Sequence, residues 1–599
     1  MKLPTLNELP TSRSMTDVFK GYNHNLRIGD GEFYDMKNLS SSHYPILSPR
    51  GARGVYATPT NPQGLIAKDT VCYVDCITEN HAEGARLYIN GNEVKGLKLS
   101  SKTDDCPKQL ISMGAYIIIL PDKKWVNTQK MVGSGDGYFD YGNIDRIYST
   151  PSGVTTTFSL CKIDSTEYDL VGTTDEPENP ENMDLWLDTS STPHALKQYS
   201  TTNAMWVTVP TTYIKISATG IGKPFEVGDG VTLSNIENEQ LQDLNNTMVI
   251  QEKGDDYIVV IGIIDNETTQ ESPITVKRQM PNMDFVIESG NRLWGCRYGV
   301  ALNGEVVNEI YASKLGDFKN WNCYAGISTD SYAATVGTDG AFTGAVTHLG
   351  YPLFFKETCV HKVYGNFPSN YQIQTTTCRG VQHGSSGSLA IVNETLFYKS
   401  ARAVCAYDGS LPVEISAALG EESYYNAVAG ALGNKYYISM SDANEQQHLF
   451  VFDTVKGMWH REDDTKAIGF CTSRGELFYI DSTDKKIKTV MGSFPSEVKN
   501  DIEWMAETGV IGTDHPDKKY ISRIDVRMLL DINSEVRFYI QYDSIGEWIP
   551  LYTMRGTALR SFTVPIRPRR CDHLRLRIEG KGDAKIYSIA KTTEQGSAV

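Results

Sequence analysis

Short apolar and aromatic runs, each closed by turn residues, recur along most of this chain. Between 56 and 136 they appear as "VCYVDC", "ARLYINGNEV" and "GAYIIILPDKKWVN". Asn90-Gly91 inside the second run is a strong two-residue hairpin signal. After 278 the texture returns in "NRLWGCRYG", "YPLFFKETCVHKVYG", "ETLFYKSARAVCAYDG", "NKYYISMS" and "GELFYIDSTDKKIKTV". The equivalent aromatics are Trp294, Phe354, Phe397, Tyr437 and Phe478, spaced by 60, 43, 40 and 41 residues. A period of about 40–45 residues with several short strands per unit predicts β-propeller blades. One four-stranded blade has two apolar faces and cannot bury them alone, whereas neighbours stacked side by side can. Adding the hairpin groups at 66–95 and 107–130 gives about seven blades. The fold class expected is all-β.

Three stretches break the repeat. Residues 1–55 read as an extended arm, interrupted by Pro4, Pro10, Pro45 and Pro49 and by turn glycines. Such an arm cannot fold alone and must lie on a body, its own or a neighbour's. Residues 137–278 carry two Trp-bearing strands, around Trp186 and Trp206, and further short strands. They read as a small β domain inserted between the first blades, 56–136, and the remaining blades, 279–498. Residues 499–599 alternate apolar and polar positions in "YISRIDVRMLL", "EVRFYIQYDS" and "DHLRLRIEG", which predicts a C-terminal β-sandwich.

Composition adds constraints. The 599 residues carry a formal charge of −16, whereas a protein gripping a nucleic-acid backbone is usually basic. An acidic surface suits plain solubility, and equally a conduit along which DNA slides without adhering. The 11 cysteines are scattered, mostly within apolar runs, and read as buried free thiols. Cys72 and Cys76 lack the paired CxxC spacing that zinc prefers, and no metal or cofactor is expected. The opening "MKLPTLNELPTSRSM" has no apolar signal core, and no window approaches a membrane-spanning length.

Candidate chemistry is sparse, and no catalytic residue is assigned. His460 precedes a run of carboxylates, Glu462, Asp463 and Asp464, but a glycosidase needs two carboxyls facing each other across a pocket. The Ser-x-Asp-x-Gly-x-Thr-Trp turns of sialidase-type propellers do not occur. "QHGSSGS", with His383 and Ser385, misses the Gly-x-Ser-x-Gly elbow by one residue. Arg567, Arg569 and Arg570, with Arg575 and Arg577, form one basic cluster, suited to an acidic neighbour or to pairing with local carboxylates. Trp186 and Trp206 could stack on a glycan or fill the core of a small domain.

The arm "DVFKGYNHNLRIGDGEFYDMKNLSSSHYPILSPRGARG" resembles the opening of tail nozzle, or DNA-stabilisation, proteins of short-tailed bacteriophages. The matching positions are Gly21, Asn23, Gly31, Asn38, Pro45, Leu47, Arg50 and Gly51. Pro45 stands where the pattern has Gly, and the inserted block is a further departure. "DLWLDTSSTPHALKQYSTTNAMWV" is similar to small Trp-hairpin units of phage fibre proteins. The resemblance implies a structural virion part of the phage tail, assembled in the bacterial cytoplasm. It implies a ring, commonly a hexamer, lining the DNA exit channel, with no catalytic residues to carry over. The implied partners are copies of itself, other tail or connector proteins, and passing DNA without specific binding. The alternative is a tail-tip or baseplate protein that binds a host surface glycan through the inserted block or the sandwich. A propeller glycosidase is a third expectation.

Overall fold

A computed structural model describes residues 11–76, 84–101, 108–132, 138–301, 304–513 and 518–595. Among the described residues the regular elements are β-strands and six short 3-10 turns. No helix there is long and apolar enough to cross a membrane. The chain divides into two compact units. One holds residues 1–108, 354–360 and 376–599; the other holds 109–353 and 361–375.

Four-strand groups follow the repeat read from the sequence. In the first unit they are the 62–93 sheet, the 390–414 sheet, the 425–461 strands and the 467–489 strands. In the second they are the 109–143 and 285–335 sheets. A seventh group, the 344–377 sheet, has strand segments in both units. The Asn90-Gly91 hairpin forms as expected: both residues have positive φ, 51° and 76°, between Ala85–Ile89 and Asn92–Glu93.

The repeated aromatics sit where sheets face one another. Phe478 shares a cluster with Val71 and Tyr73 of the 62–93 sheet. Tyr437 and Val451 meet Leu477. Phe397 lies 5.3 Å from Tyr436, ring to ring. In the second unit, Val286 and Leu293 share a cluster with Ile111 and Ile118. In each of these pairs one sheet hides an apolar face against its neighbour, which a lone four-strand sheet cannot do.

The 467–489 group has only three strands of its own. Its fourth is Gly54–Ala57, which pairs antiparallel with Ile487–Thr489. Residues 54 and 55, read from sequence as the end of the arm, therefore belong to a sheet formed from the far end of the chain. Tyr56 anchors the strand, edge-on to Phe478 at 5.3 Å and to Phe494 at 5.1 Å.

The rest of the described arm is also built into sheets of its own unit. Thr11–Thr16 pairs with Ala584–Gln595. Gly21–Tyr22 lies between Met458–Arg461 and Glu32–Lys37, and the latter pairs with Glu503–Thr508. These short strands make one ten-stranded sheet out of the 425–461 strands and four C-terminal ones. A second sheet, of Thr11–Thr16, Ala584–Gln595, Lys519–Leu530 and Arg560–Val564, shares a core with it through Ile524, Val526 and Met528 against Val536, Phe538 and Ile578. Alternating burial along Lys519–Leu530 is the pattern read from its sequence.

The block read as 137–278 begins a little later. Tyr138–Asn143 completes the 109–143 sheet by pairing with Lys124–Val132. Beyond it, two sheets of four and five strands enclose a separate core containing Phe158, Ile214, Phe225, Val231 and Ile258. A three-stranded sheet, Leu185–Asp188, Ala195–Ser200 and Met205–Thr208, lays Leu187 and Leu196 on that core.

The closing strand yields a stability prediction. Tyr56→Ala removes two aromatic contacts at the seam and is expected to cost about 2 kcal/mol by denaturant unfolding. Leu411→Ala, at a side chain 59% exposed, is expected to change stability by less than about 0.5 kcal/mol.

Candidate functional site

The positions quoted from the arm converge on one seam of the first unit. Gly21 has φ +85°, and a Cβ there would stand 2.3 Å from the Trp459 carbonyl oxygen. Gly31 has φ +89° and would meet the Val18 carbonyl oxygen at 2.3 Å. Both therefore require glycine, for conformation and for space. Asn23 donates its backbone N–H to Phe33 O at 2.8 Å. Pro45 O accepts from Phe19 N–H at 3.1 Å, and Leu47 exchanges two backbone hydrogen bonds with Ile586.

Asn38 is the pivot. It is 8% exposed with φ +54°. Its backbone N–H donates to Glu462 O, and its Nδ2 donates to Glu503 O at 2.7 Å. Its Oδ1 accepts from Arg50 Nε at 2.8 Å. One side chain thus ties the arm to both parts of the ten-stranded sheet.

Two buried arginines extend the seam. Arg50 Nη1 donates to Glu497 Oε2 at 2.9 Å. Arg53 Nη2 contacts Glu462 Oε2 at 2.7 Å, and its Nη1 contacts Asp463 Oδ2 at 2.6 Å. Burial opposes the charge on Arg53, but Asp463, Tyr479 and Glu462 outweigh it and hold the guanidinium well above its ordinary range. Burial alone would raise the Asp463 carboxyl; Arg53, Thr465 and Arg50 bring it below the usual value. Asp464 pairs with Arg461 at 2.5 Å. The carboxylate run singled out in the sequence is thus held by arginines. His460 is 5% exposed, and burial pushes it down to about 3, so it stays neutral.

The other sequence candidates are dispersed. Ser385 is fully buried, accepting from Ala427 N–H and donating to Gln382 Oε1. No disulfide links two of the ten described cysteines, and Cys106 lies outside the described residues. Burial pushes Cys72 up to about 11 and Cys471 up to about 12. Among the described residues no three metal-ligating side chains converge.

Trp186 and Trp206 do come together, edge to face at 5.6 Å. Trp186 is only 8% exposed, roofed by Lys197 Nζ at 4.8 Å, and its indole N–H donates to Thr173 Oγ1. Trp206 is half-buried against Tyr199 and donates to Glu176 Oε1 at 2.9 Å. Cross-strand packing therefore occupies most of the aromatic surface suited to glycan stacking.

The arginine cluster splits. Arg575 and Arg577 both reach Glu507, at 3.2 and 2.8 Å, and lie over Tyr34 and Trp548. Arg567, Arg569 and Arg570 are exposed on the strandless stretch that follows Arg560–Val564. Sequence alternation suggested pairing for the first two, and only burial distinguishes the other three.

A cavity of about 1090 Å³ lies between the two C-terminal sheets, with Phe33, Phe538, Ile578 and Ile589 among its walls together with Lys519, His573 and Lys591. Lys591 is engaged by Asp30 at 2.8 Å. Glu32, also in the lining, accepts from Gly29 N–H at 2.7 Å. No signal in the sequence marked this cavity, because its walls come from strands more than 480 residues apart.

No protein-family model and no curated relative matches the chain. Solved structures align only distantly. An exo-β-1,3-galactanase from Phanerochaete chrysosporium has 8% identity over 51% of this chain and 94% of its own, with a TM-score of 0.21. Saccharomyces cerevisiae Sqt1 has 9% identity over 75% and 97%, with a TM-score of 0.29. An acylaminoacyl peptidase from Pyrococcus horikoshii has 9% identity over 52% and 48%, with a TM-score of 0.23. Likenesses this distant assign no activity.

Two outcomes follow from the seam. Arg53→Met leaves Glu462 and Asp463 buried without their shared cation and is expected to cost at least about 3 kcal/mol in denaturant unfolding. The lowered carboxyls of Asp463 and Glu497 favour the folded, ionised state. Their contribution is complete above the ordinary carboxylate range, about pH 4, and is lost as pH falls through their lowered folded values. Unfolding midpoints measured from pH 7 down to 2 are expected to decline first from about pH 6.5, as the unfolded state takes up the proton that buried His460 refuses, and more steeply below about pH 4, with a smaller drop below about pH 4 in Glu497→Gln.

Proposed function

We propose that the seven four-strand groups are blades of a β-propeller, with Gly54–Ala57 as the fourth strand of the last blade. On this reading the protein is a structural component of a bacteriophage tail. It forms a nozzle-like ring that lines the DNA exit channel, beside other tail or connector proteins. One observation carries the proposal. The arm positions that resemble tail nozzle proteins, Gly21, Gly31, Asn38 and Arg50 above all, each have a fold-making role at the join between the 425–461 strands and the C-terminal sheets. A motif spent on joining two rigid bodies is what a load-carrying scaffold needs.

The charge agrees. At −16 the chain repels a DNA backbone, and a passing duplex would find few cations to release counterions against. A ring of identical copies needs a head-to-tail contact between two different patches of the same surface.

The purified full-length protein is expected to form closed rings, visible by negative stain and as a single large species in mass photometry. It is expected to leave double-stranded DNA unretarded in a gel at about 150 mM salt. A protein that stays monomeric at every concentration tested would overturn the reading. Binding to host cells that is abolished by Trp206→Ala would favour the glycan-binding alternative.

A further inference from the structure

The turn that follows Glu535–Tyr542 carries an unexpected residue. Tyr542 O accepts from Ile545 N–H at 3.2 Å, and the two residues between them, Asp543 and Ser544, both have φ +50°. A turn with two successive left-handed residues favours Asn or Asp followed by Gly. Here serine takes the glycine position, and it is exposed. A non-glycine residue persists in this conformation where its surroundings hold it there, and such residues gather at functional sites.

What holds Ser544 is the Asp572-His573 segment. Asp543 Oδ1 accepts from Asp572 N–H at 2.7 Å, and Asp543 N–H donates to His573 O at 3.0 Å. These bonds fix the two loops to each other. The side chains then form a relay of two hydrogen bonds. Ser544 Oγ lies 2.7 Å from His573 Nε2, and His573 Nδ1 lies 2.9 Å from Asp572 Oδ2. An ionised carboxylate only accepts, so Nδ1 carries the proton and Nε2 accepts from the serine O–H. The His573 hydrogen bond in turn holds the Asp572 carboxyl below its usual range. Among the described residues no acceptor takes the N–H of Ser544 or of Gly546, which leaves two amide donors for a developing negative charge. His573 is also among the residues lining the cavity between the C-terminal sheets, a space large enough for a small ligand. Nothing local marks the arrangement in the sequence. Ser544 and His573 are 29 residues apart, and Tyr-Asp-Ser-Ile-Gly keeps only the last glycine of the Gly-x-Ser-x-Gly elbow.

We propose that Ser544, His573 and Asp572 form a hydrolytic site for carboxylic esters on the C-terminal sheets. This stands apart from the ring reading, and neither requires the other. A serine–histidine–carboxylate set is recognised by geometry and roles, not by order in the chain. Ser544 Oγ attacks the ester carbonyl carbon while its proton passes to His573 Nε2. The bond between that carbon and the alcohol oxygen then breaks, and the proton on Nε2 goes to the departing alkoxide. The acyl group stays on Ser544 Oγ until a water, deprotonated by Nε2, attacks the same carbon. The carbon–Oγ bond breaks, the proton returns to Oγ, and a carboxylic acid leaves. Asp572 touches no reacting atom. It is a positioning residue that fixes the imidazole tautomer and steadies the imidazolium. Because Ser544 is exposed, the alcohol part of the ester can be large and remain in solvent.

Turnover and labelling of the full-length protein test it. With p-nitrophenyl acetate the wild type is expected to release many equivalents of p-nitrophenol per chain, which one-time acetylation of surface lysines cannot do. Ser544→Ala and His573→Ala are each expected to lower kcat at least about 100-fold. Asp572→Asn is expected to lower kcat with little change in KM, and Asp572→Glu to recover part of the loss, a split that a merely structural role would not produce. A fluorophosphonate probe is expected to label Ser544, as located by peptide mass spectrometry, and to leave His573→Ala unlabelled. Ser544→Gly removes the hydroxyl with a residue that suits φ +50°, so it serves if Ser544→Ala folds poorly by thermal unfolding. A wild type that does not turn over the ester overturns the inference. So does turnover that survives removal of the Ser544 hydroxyl, or a label found on another residue.

Discussion

The unpaired edge of a β-sheet is the constraint on which the first unit depends. Ile487–Thr489, Met458–Arg461 and Glu503–Thr508 would each present a row of open N–H and C=O groups if the chain began at residue 60. Such edges invite pairing with other chains. The N-terminal segment covers all three within 36 residues, with Gly21–Tyr22, Glu32–Lys37 and Gly54–Ala57. None of these strands is long enough to hold its place by ladder hydrogen bonds alone. Their register is set by what lies between them.

What lies between them is polar and buried. Backbone bonds of two-residue strands contribute little net stability each, since water offers the same bonds to the unfolded chain. The Asn38, Arg50 and Arg53 contacts are different in kind. A one-residue slip would leave Asn38 unable to bridge Glu462 and Glu503, and would leave Arg53 without its carboxylates. An unsatisfied buried charge costs far more than a missed apolar contact. The seam therefore favours one register strongly, even though the ion pairs themselves add modest net stability. The two glycines serve the same end: at Gly21 and Gly31 the backbone approaches a neighbouring carbonyl more closely than any Cβ permits.

This division between local and distant causes explains what the sequence showed. The repeating aromatics, the Asn90-Gly91 turn and the alternation in Lys519–Leu530 are local patterns, and each produced the element expected. Gly54–Ala57 is only four residues long and follows a glycine-rich turn, so nothing nearby marks its partner more than 430 residues away. Arg53 and Glu462 are equally remote, 409 residues apart, and their pairing has no periodicity to reveal it. Tyr138–Asn143 was assigned to the inserted block because a change in composition was read as the boundary, whereas pairing with Lys124–Val132 decides its sheet. Whether Trp186 stacks on a ligand or packs in a small domain stayed open in the sequence, because aromatic content says nothing about a lysine lying across the ring. The carboxylates at 462–464 gave no sign of their partners for the same reason: a run of acids looks alike whether it faces solvent or a buried arginine.

The placement of unpaired charge is then informative in its own right. The chain has 57 basic and 73 acidic residues, so acids must remain without partners somewhere. If solubility were the whole cause, the excess would be spread evenly and the free cations with it. Instead the seam draws its arginines inside, against Glu462, Asp463 and Glu497, while Arg567, Arg569 and Arg570 are exposed. Burying Arg50 and Arg53 next to carboxylates fixes the register of the arm, whereas exposed charges of this kind add little to the fold. Electrostatic attraction at exposed sites is weak per pair and strong in selecting orientation. A chain that fixes its register with buried pairs places its guanidinium groups where a slip would leave a buried charge unmatched.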